Sequence, residues 1–377
     1  MSEYQIHGFC NEQFTPVREA FERNFSLGEE LGGAVAITIA GESVVDLWGG
    51  YTDSAKSRTW QEDTIVLVTS NTKIVTTLCG MMLVDRGLVD LDKPVADYWP
   101  EFAANGKETI PVRYLFTHSA GLPALDPPSS LEDMFDWDKS TAQLASQAPW
   151  FTPGTVSGYH GVTFGHLIGE IVRRTTKLSF QDFLHQEVIQ PLGADFFIGM
   201  PNEAFSRLAE IVPNGSVRPV VKGSFAERVY SGNLEEPTHF NDPEFYRAVI
   251  PAANGVGNAR SLTRICGALA NGGTLGNVTL LQPDTCKQIY QEQIYTHDLV
   301  MDAPVRFGLG VGLSSKEVPI PFPNAFHWGG YGGSSTVMEP DRKACFSYVT
   351  NYFDATLAGD RRGARINRAA INCLEKI

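Results

Sequence analysis

The sequence predicts a mixed α+β chain, and three features of its patterning say so. Two β-rich runs joined by a tight turn stand near the N-terminus, four more strand-like runs fill the last hundred residues, and apolar residues recur with helical period between them.

Taken in order, residues 1–24 read as an N-terminal helix, with Phe14, Val17, Ala20, Phe21 and Phe25 at roughly helical spacing to pack on a sheet. Residues 34–40 and 43–50, joined at Gly41-Glu42, read as an antiparallel hairpin. Residues 70–86 read as a mostly buried helix, because apolar side chains circle nearly its whole surface between Ile74 and Val84, and Gly87 supplies its stop. Residues 88–95 turn into a short helix ending at Tyr98-Trp99-Pro100, and 112–118 lead into a Ser119-Ala120-Gly121-Leu122-Pro123 loop. From 125 to 150 the chain is rich in Pro, Asp and Ser with interleaved aromatics, a surface excursion and a candidate part of a lid. Residues 153–161 form a turn-rich loop, followed by helices from Val162 through Val172 and over 179–188. Residues 199–248 carry few periodic signals. A helix at 261–270 follows Asn254-Gly255-Val256-Gly257-Asn258, and strands are expected at 307–313, 325–328, 335–338 and 344–350 before a closing helix over 357–374. There is no internal repeat and no low-complexity segment.

Composition narrows the functional classes. The 377 residues are 43% hydrophobic and 19% charged, the balance of an ordinary globular protein with room for one large domain or two. Forty-three acidic against thirty basic residues leave a net charge of −13 with no Lys/Arg run, which argues against nucleic acid or an anionic membrane as partner. The first residues lack a basic and an apolar signal region, and no run of about 18 apolar residues occurs, so a cytoplasmic location is expected. Six scattered cysteines without a C-x-x-C fit reduced thiols rather than disulfides or a zinc site.

The chemistry centres on the start of the 70–86 helix. No G-x-S-x-G, H-E-x-x-H or G-x-x-x-x-G-K-[ST] occurs, which removes the α/β-hydrolase elbow, the zinc proteases and the P-loop enzymes. Ser70-Asn71-Thr72-Lys73 is the one S-x-x-K in the chain. Lys73 stands out, because an ammonium in the first turn of an apolar helix is costly to desolvate and opposes the positive end of the helix dipole. Ser70, three residues earlier, lies on the same face, so a nucleophile stands beside a possible base. With an ordinary pKa of about 10.4, Lys73 would be neutral in only about one molecule in a few thousand. Burial could lower that value, or the lysine charge could lower the pKa of a nearby phenol. For the phenol the best candidate is Tyr159, flanked by Gly158 and Gly161 in a loop ahead of a helix.

Four segments in this order resemble the serine β-lactamase-like superfamily along nearly the whole chain: Ser70-x-x-Lys73, the loop from Leu115 to Leu122, Pro153-Gly154 followed by Gly158-Tyr159-His160, and His327-Trp328-Gly329-Gly330. The chain is most similar to the class C branch, in particular the family VIII carboxylesterases and related acyltransferases. That resemblance implies a β-lactamase/transpeptidase-like fold: an antiparallel sheet flanked by helices and built from 1–66 and 245–377, with a mainly helical domain at 67–244. It implies Ser70 as the acylated nucleophile, Lys73 as its proton partner, and Tyr159 as general base and donor to the leaving group. It maps the third motif, usually K-T-G, onto His327, Trp328 and Gly329, and places the oxyanion hole at the backbone N–H groups of Ser70 and Gly330.

The departures from the pattern shape the expected substrate. Tyr159-His160-Gly161 stands where β-lactamases have Y-x-N, so the amide that holds a β-lactam is missing and His160 enters the substrate set. His327 replaces the lysine of K-T-G and at pH 7 would be charged only about a quarter of the time, so carboxylate recognition is weak. Trp328 adds apolar surface suited to an acyl chain or an uncharged ester. The expectation is a carboxylesterase, hydrolysing or transferring the acyl group of small uncharged esters, with no metal or cofactor. The alternatives are a β-lactamase or D-Ala-D-Ala peptidase, and a scaffold that keeps the fold without catalysis. Retention of Ser70, Lys73 and Tyr159 together speaks against the scaffold. His118 and Ser119, adjacent on a loop, are assigned a structural role because neighbours in such a loop point apart. Oligomeric state is left open.

Overall fold

The computed structural model describes residues 4–127, 129–231 and 237–377. Among them one large sheet dominates. Its strands are β1 (Ile6–Cys10), β2 (Gly32–Ile39) and β3 (Glu42–Gly50) from the start of the chain. Outside this sheet run β4 (Val66–Thr69) and β5 (Gly255–Gly257). The sheet is completed by β6 (Ile294–Asp298), β7 (Ala303–Phe307), β8 (Gly312–Leu313), β9 (Phe326–Gly329), β10 (Ser335–Glu339) and β11 (Ala344–Thr350). The order is β1-β3-β2-β11-β10-β9-β8-β7-β6 with every pairing antiparallel, so both chain ends interleave in one layer.

Helices cover both faces at the sheet's centre. On one side Val35 and Ile37 of β2, Val337 of β10 and Phe346 of β11 pack against α1 (Thr15–Ser26) and α6 (Arg361–Leu374). On the other, Ala34, Ala36, Met338 and Cys345 join the larger core with α2 (Thr72–Asp85) and α5 (Ala259–Ala270). Successive side chains of a strand point to opposite faces, so β2, buried on both, is apolar apart from Thr38 instead of alternating. The mixed α+β class and the two-ended sheet agree with the expectation from sequence.

Some local expectations need correction. Residues 6–10 are a strand and not the start of a helix; α1 begins only at Thr15, where Pro16 suits a first turn, and residues 1–3 lie outside the described residues. Gly8 lies so close to the Asp46 carbonyl across the pair that a side chain would collide with it, which fixes β1 against β3. The expected strand over 307–313 is broken, because Gly308 N–H closes a turn on Val311 and Gly310, with φ +64°, donates to the Phe116 carbonyl. The excursion at 125–150 contains α3 (Trp137–Ser146), capped by the Asp136 carboxylate on Lys139 N–H, and Pro128 is outside the described residues. The closing helix starts at Arg361 behind an Asp360 cap.

The centre of the molecule is α2, buried from Thr72 through Leu83 as its all-round apolar pattern requires. It packs on α4 (Thr163–Thr176) through Gly80, which sits against Phe116 and Ile168. The segment around Pro251 crosses both helices: Thr76 Oγ1 donates to the Pro251 carbonyl, and Gly165 of α4 approaches the Pro251–Ala252 backbone so closely that a Cβ would lie 2.5 Å from it. A Gly165→Ala substitution is expected to push this segment outward and cost about 1–3 kcal/mol of stability, measured by urea unfolding.

Candidate active site

Ser70 occupies a sharp strand-to-helix turn. β4 pairs with β5, then Thr69 takes φ +44°, a left-handed conformation costly for a β-branched residue, and α2 begins three residues later. The neighbourhood holds that conformation: Thr69 Oγ1 donates to the Tyr331 carbonyl at 2.9 Å, Thr72 Oγ1 donates to the Thr69 carbonyl, and Gly255 N–H donates to Thr72 Oγ1 at 2.9 Å. Ser70 therefore lies just ahead of the helix and not within it, while Lys73 is in the first turn.

Lys73 is fully buried, with Nζ 3.1 Å from Ser70 Oγ, 2.7 Å from the Gly161 carbonyl and 2.9 Å from the Ala252 carbonyl. None of these neighbours carries a charge. Burial accordingly drives its pKa well below the ordinary lysine value. Its three hydrogen-bond contacts are two main-chain carbonyls and one hydroxyl. Tyr159 Oη lies 2.7 Å from Ser70 Oγ, and Lys73 Nζ stands 4.8 Å from the centre of the phenol ring. The side chains of Lys73 and Tyr159 thus converge on the Ser70 hydroxyl, an arrangement in which a proton can pass between the three groups.

The Tyr159 loop is held by its own backbone. Gly158 N–H donates to the His118 carbonyl at 2.9 Å, Tyr159 N–H to Asp298 Oδ1 at 3.1 Å, and His160 N–H to His118 Nδ1 at 3.1 Å. Sequence reasoning missed Asp298, Ala252 and the Gly161 carbonyl. Two of these are main-chain groups, which leave no signature in residue identity. Among the described residues no group of three or more His, Cys, Asp or Glu side chains converges to hold a metal, and no helix is long and apolar enough to cross a membrane. All six cysteines are unpaired thiols.

Comparison with known proteins shows the family of the chain. A model of the family described as Beta-lactamase matches residues 21–370. The chain belongs to that Beta-lactamase family. It is 32% identical over 364 residues to "Esterase/beta-lactamase LipL" of Mycobacterium tuberculosis (strain ATCC 25618 / H37Rv), covering 92% of this chain and 83% of the relative. It superposes on the crystal structure of a family VIII carboxylesterase with a TM-score of 0.92 and 38% identity, covering 98% of this chain and 100% of the other. A penicillin-binding protein homologue from Caulobacter crescentus gives 0.90 and 36%, with the same coverage. The expectation of a serine hydrolase with this family's fold stands.

Several residues expected to touch substrate are turned away from Ser70 or enclosed. His160 is buried, its Nδ1 on the Gly158 carbonyl at 2.6 Å and its Nε2 accepting from Leu122 N–H at 3.1 Å, and burial lowers its pKa to about 3. It is a neutral pin between two loops. His327 and Gly329 face the wrong way, because β9 alternates: His327 pairs with Val337 on the α6 side and Gly329 abuts the Ala358–Gly359 backbone there. Desolvation lowers the His327 pKa to about 4, so it is no cation at neutral pH either. Trp328, opposite Thr336, does face the site, with ring centres 6.0 Å from Tyr159 and 5.8 Å from His118. The Gly330 N–H, expected in the oxyanion hole, donates instead to the Ser334 carbonyl at 2.8 Å, closing the turn into β10. Glycine is needed at 330 because a Cβ would strike Thr69 Oγ1 and the Val68 carbonyl. His118 and Ser119 point apart as expected, His118 into the Tyr159–Trp328 aromatic cluster and Ser119 Oγ onto Thr117 Oγ1 at 2.7 Å.

The lowered Lys73 pKa also makes a stability prediction. Below about 10.4 the unfolded chain binds a proton on this lysine that the native amine resists, so its contribution is complete above that pH and is lost as pH falls through the lowered native value. Wild type should therefore gain stability over Lys73→Met between pH 7 and 10, as followed by urea unfolding. Strand parity makes another: His327→Ala should leave ester turnover near wild type, whereas Trp328→Ala should lower kcat/KM roughly tenfold, about 1.4 kcal/mol.

Proposed function

We propose that this chain is a carboxylesterase that cleaves, or transfers the acyl group of, small uncharged esters through an acyl-Ser70 intermediate. The observation that carries the reading is the placement of Ser70 Oγ between Lys73 Nζ at 3.1 Å and Tyr159 Oη at 2.7 Å. Neutral Lys73 accepts the Ser70 proton as Oγ attacks the ester carbonyl, and the Ser70 N–H faces the developing oxyanion. N–H groups of Phe326, Trp328 and Gly330 face β10 by antiparallel alternation, so a second donor from this segment has to come from an odd-numbered position. Tyr331, whose carbonyl accepts from Thr69 beside the nucleophile, is that position. On collapse Tyr159 gives its phenolic proton to the departing alkoxide and is reprotonated from the Lys73 ammonium, which returns to the neutral amine. Water, or an alcohol in transfer, then loses its proton to the same pair as it bonds to the acyl carbon, and collapse breaks the bond to Ser70 Oγ, which takes that proton back as the acid or new ester departs.

The preference for an uncharged ester rests on what faces the site. No side-chain amide stands at 161, Trp328 presents an aromatic wall, and His327, which would have supplied the cation for a carboxylate, lies on the other face of the sheet. A slower β-lactamase activity is a second reading, favoured by the double name of the Mycobacterium tuberculosis relative and by the penicillin-binding protein homologue.

An ester-like phosphonate should add covalently to Ser70, seen by intact mass and peptide mapping. Ser70→Ala should lose the adduct and lower turnover of a short-chain activated ester by roughly 10⁴-fold or more. An adduct on a different serine with turnover intact in Ser70→Ala would reject the site, and a cephalosporin cleaved faster than the ester would reverse the order of the two readings.

A further inference from the structure

The Ser70 cluster contains no carboxylate, yet one stands directly behind it. Asp298 is the last residue of β6, fully buried, and its oxygens accept from groups of two separate segments. From its own turn Oδ1 receives Val300 N–H at 2.9 Å and Met301 N–H at 2.8 Å. From the Tyr159 loop, Oδ1 receives Tyr159 N–H at 3.1 Å and Oδ2 receives Ser157 Oγ–H at 2.5 Å. Leu299 N–H adds a bond to the Ser157 carbonyl at 2.9 Å, and residues 157 and 298 form an isolated parallel bridge. The far edge strand of the sheet is thus tied to the residue whose phenol meets Ser70 Oγ.

Resting on the acyl-Ser70 reading above, we propose that Asp298 is the positioning residue of the reaction: it sets the height of the Tyr159 backbone, and through it the contact between phenol and nucleophile. Asp298 touches none of the reacting atoms. Gly158 and His160 bond to His118, and the backbone N–H of Tyr159, between them, donates to Asp298. A carboxylate suits the task because its two oxygens accept from a hydroxyl and three N–H groups at once. The turn after β6 needs only a short polar cap, which serine also supplies, so the reach across to residue 159 is the part of Asp298 that a local structural role leaves unexplained.

The experiment compares Asp298→Ser with Asp298→Asn, each alone and in a Tyr159→Phe background, on turnover of a short-chain activated ester by the full chain. Serine keeps the cap on Val300 and Met301 but is too short for Tyr159 N–H. Asparagine keeps an oxygen for the N–H groups and offers its amide to the Ser157 hydroxyl. Asp298→Ser should lower kcat by about 10²-fold, the scale of an ångström's misplacement, with KM little changed. Asp298→Asn should restore most of that rate. In Tyr159→Phe the serine substitution should cost nothing further, because the phenol through which Asp298 acts is gone. An equal loss in both backgrounds, or an unchanged kcat in Asp298→Ser, overturns the proposal. Should Asp298→Ser fail to fold, Asp298→Asn carries the test: a loss as large in Tyr159→Phe as in wild type overturns the proposal, and near-wild-type kcat in the presence of the phenol supports it. Full activity in Tyr159→Phe alone would instead reject the acyl-Ser70 reading with Tyr159 as partner.

Discussion

The organisation of this protein depends on a lysine amine buried without a counter-ion. Removing an ammonium from water without a partner costs several kcal/mol, and the outcome in such cases is a neutral group with a depressed pKa. Here two carbonyls from distant segments, Gly161 and Ala252, accept from the amine, and Ser70 Oγ lies within hydrogen-bond reach of it. The helix that carries Lys73 has to be enclosed on all sides for this to work, which is why α2 is apolar around its circumference and lies beneath the sheet rather than on the surface.

That enclosure was legible in the sequence, because an all-round apolar run leaves a lysine in its first turn no exposed face along which to reach water. The mixed class and the interleaved chain ends were legible too, the first from periodicity and the second from resemblance. What could not be read was local. β1 is short, contains Gly8 and alternates weakly, so the helical spacing of Phe14, Val17 and Phe21 was extended backward over it. β6 and β7 lie at the sheet edge, where His297, Asp298, Pro304 and Arg306 dilute the apolar signal. The bend at Gly308–Val311 divides what reads as one strand.

The site shows the same division. Ser70 and Lys73 were singled out by residue type and spacing and Tyr159 by its glycine-flanked loop and by resemblance, and the three lie together, whereas the mismatch arose where a motif was laid on β9 without regard to its side-chain period. A strand reverses every side chain when the register shifts by one residue. Aligning His327 with the motif's cation therefore turned the wrong residues, His327 and Gly329, toward the substrate, and chose Gly330 N–H, which points into the sheet. Trp328 and Phe326 share a face with the aromatic cluster around His118, and that alternation was available in the sequence.

Both carbonyls that solvate Lys73 belong to the main chain. A base held by a side-chain amide can be lost through a single codon change at the amide; here every residue type offers the same oxygen at 161 and 252. Drift in the side chains of those loops leaves the amine's surroundings intact so long as the loops keep their course. The vulnerability moves from residue identity to chain length: deleting or inserting one residue between Tyr159 and Gly161, or around Pro251 and Ala252, would withdraw an acceptor from Lys73.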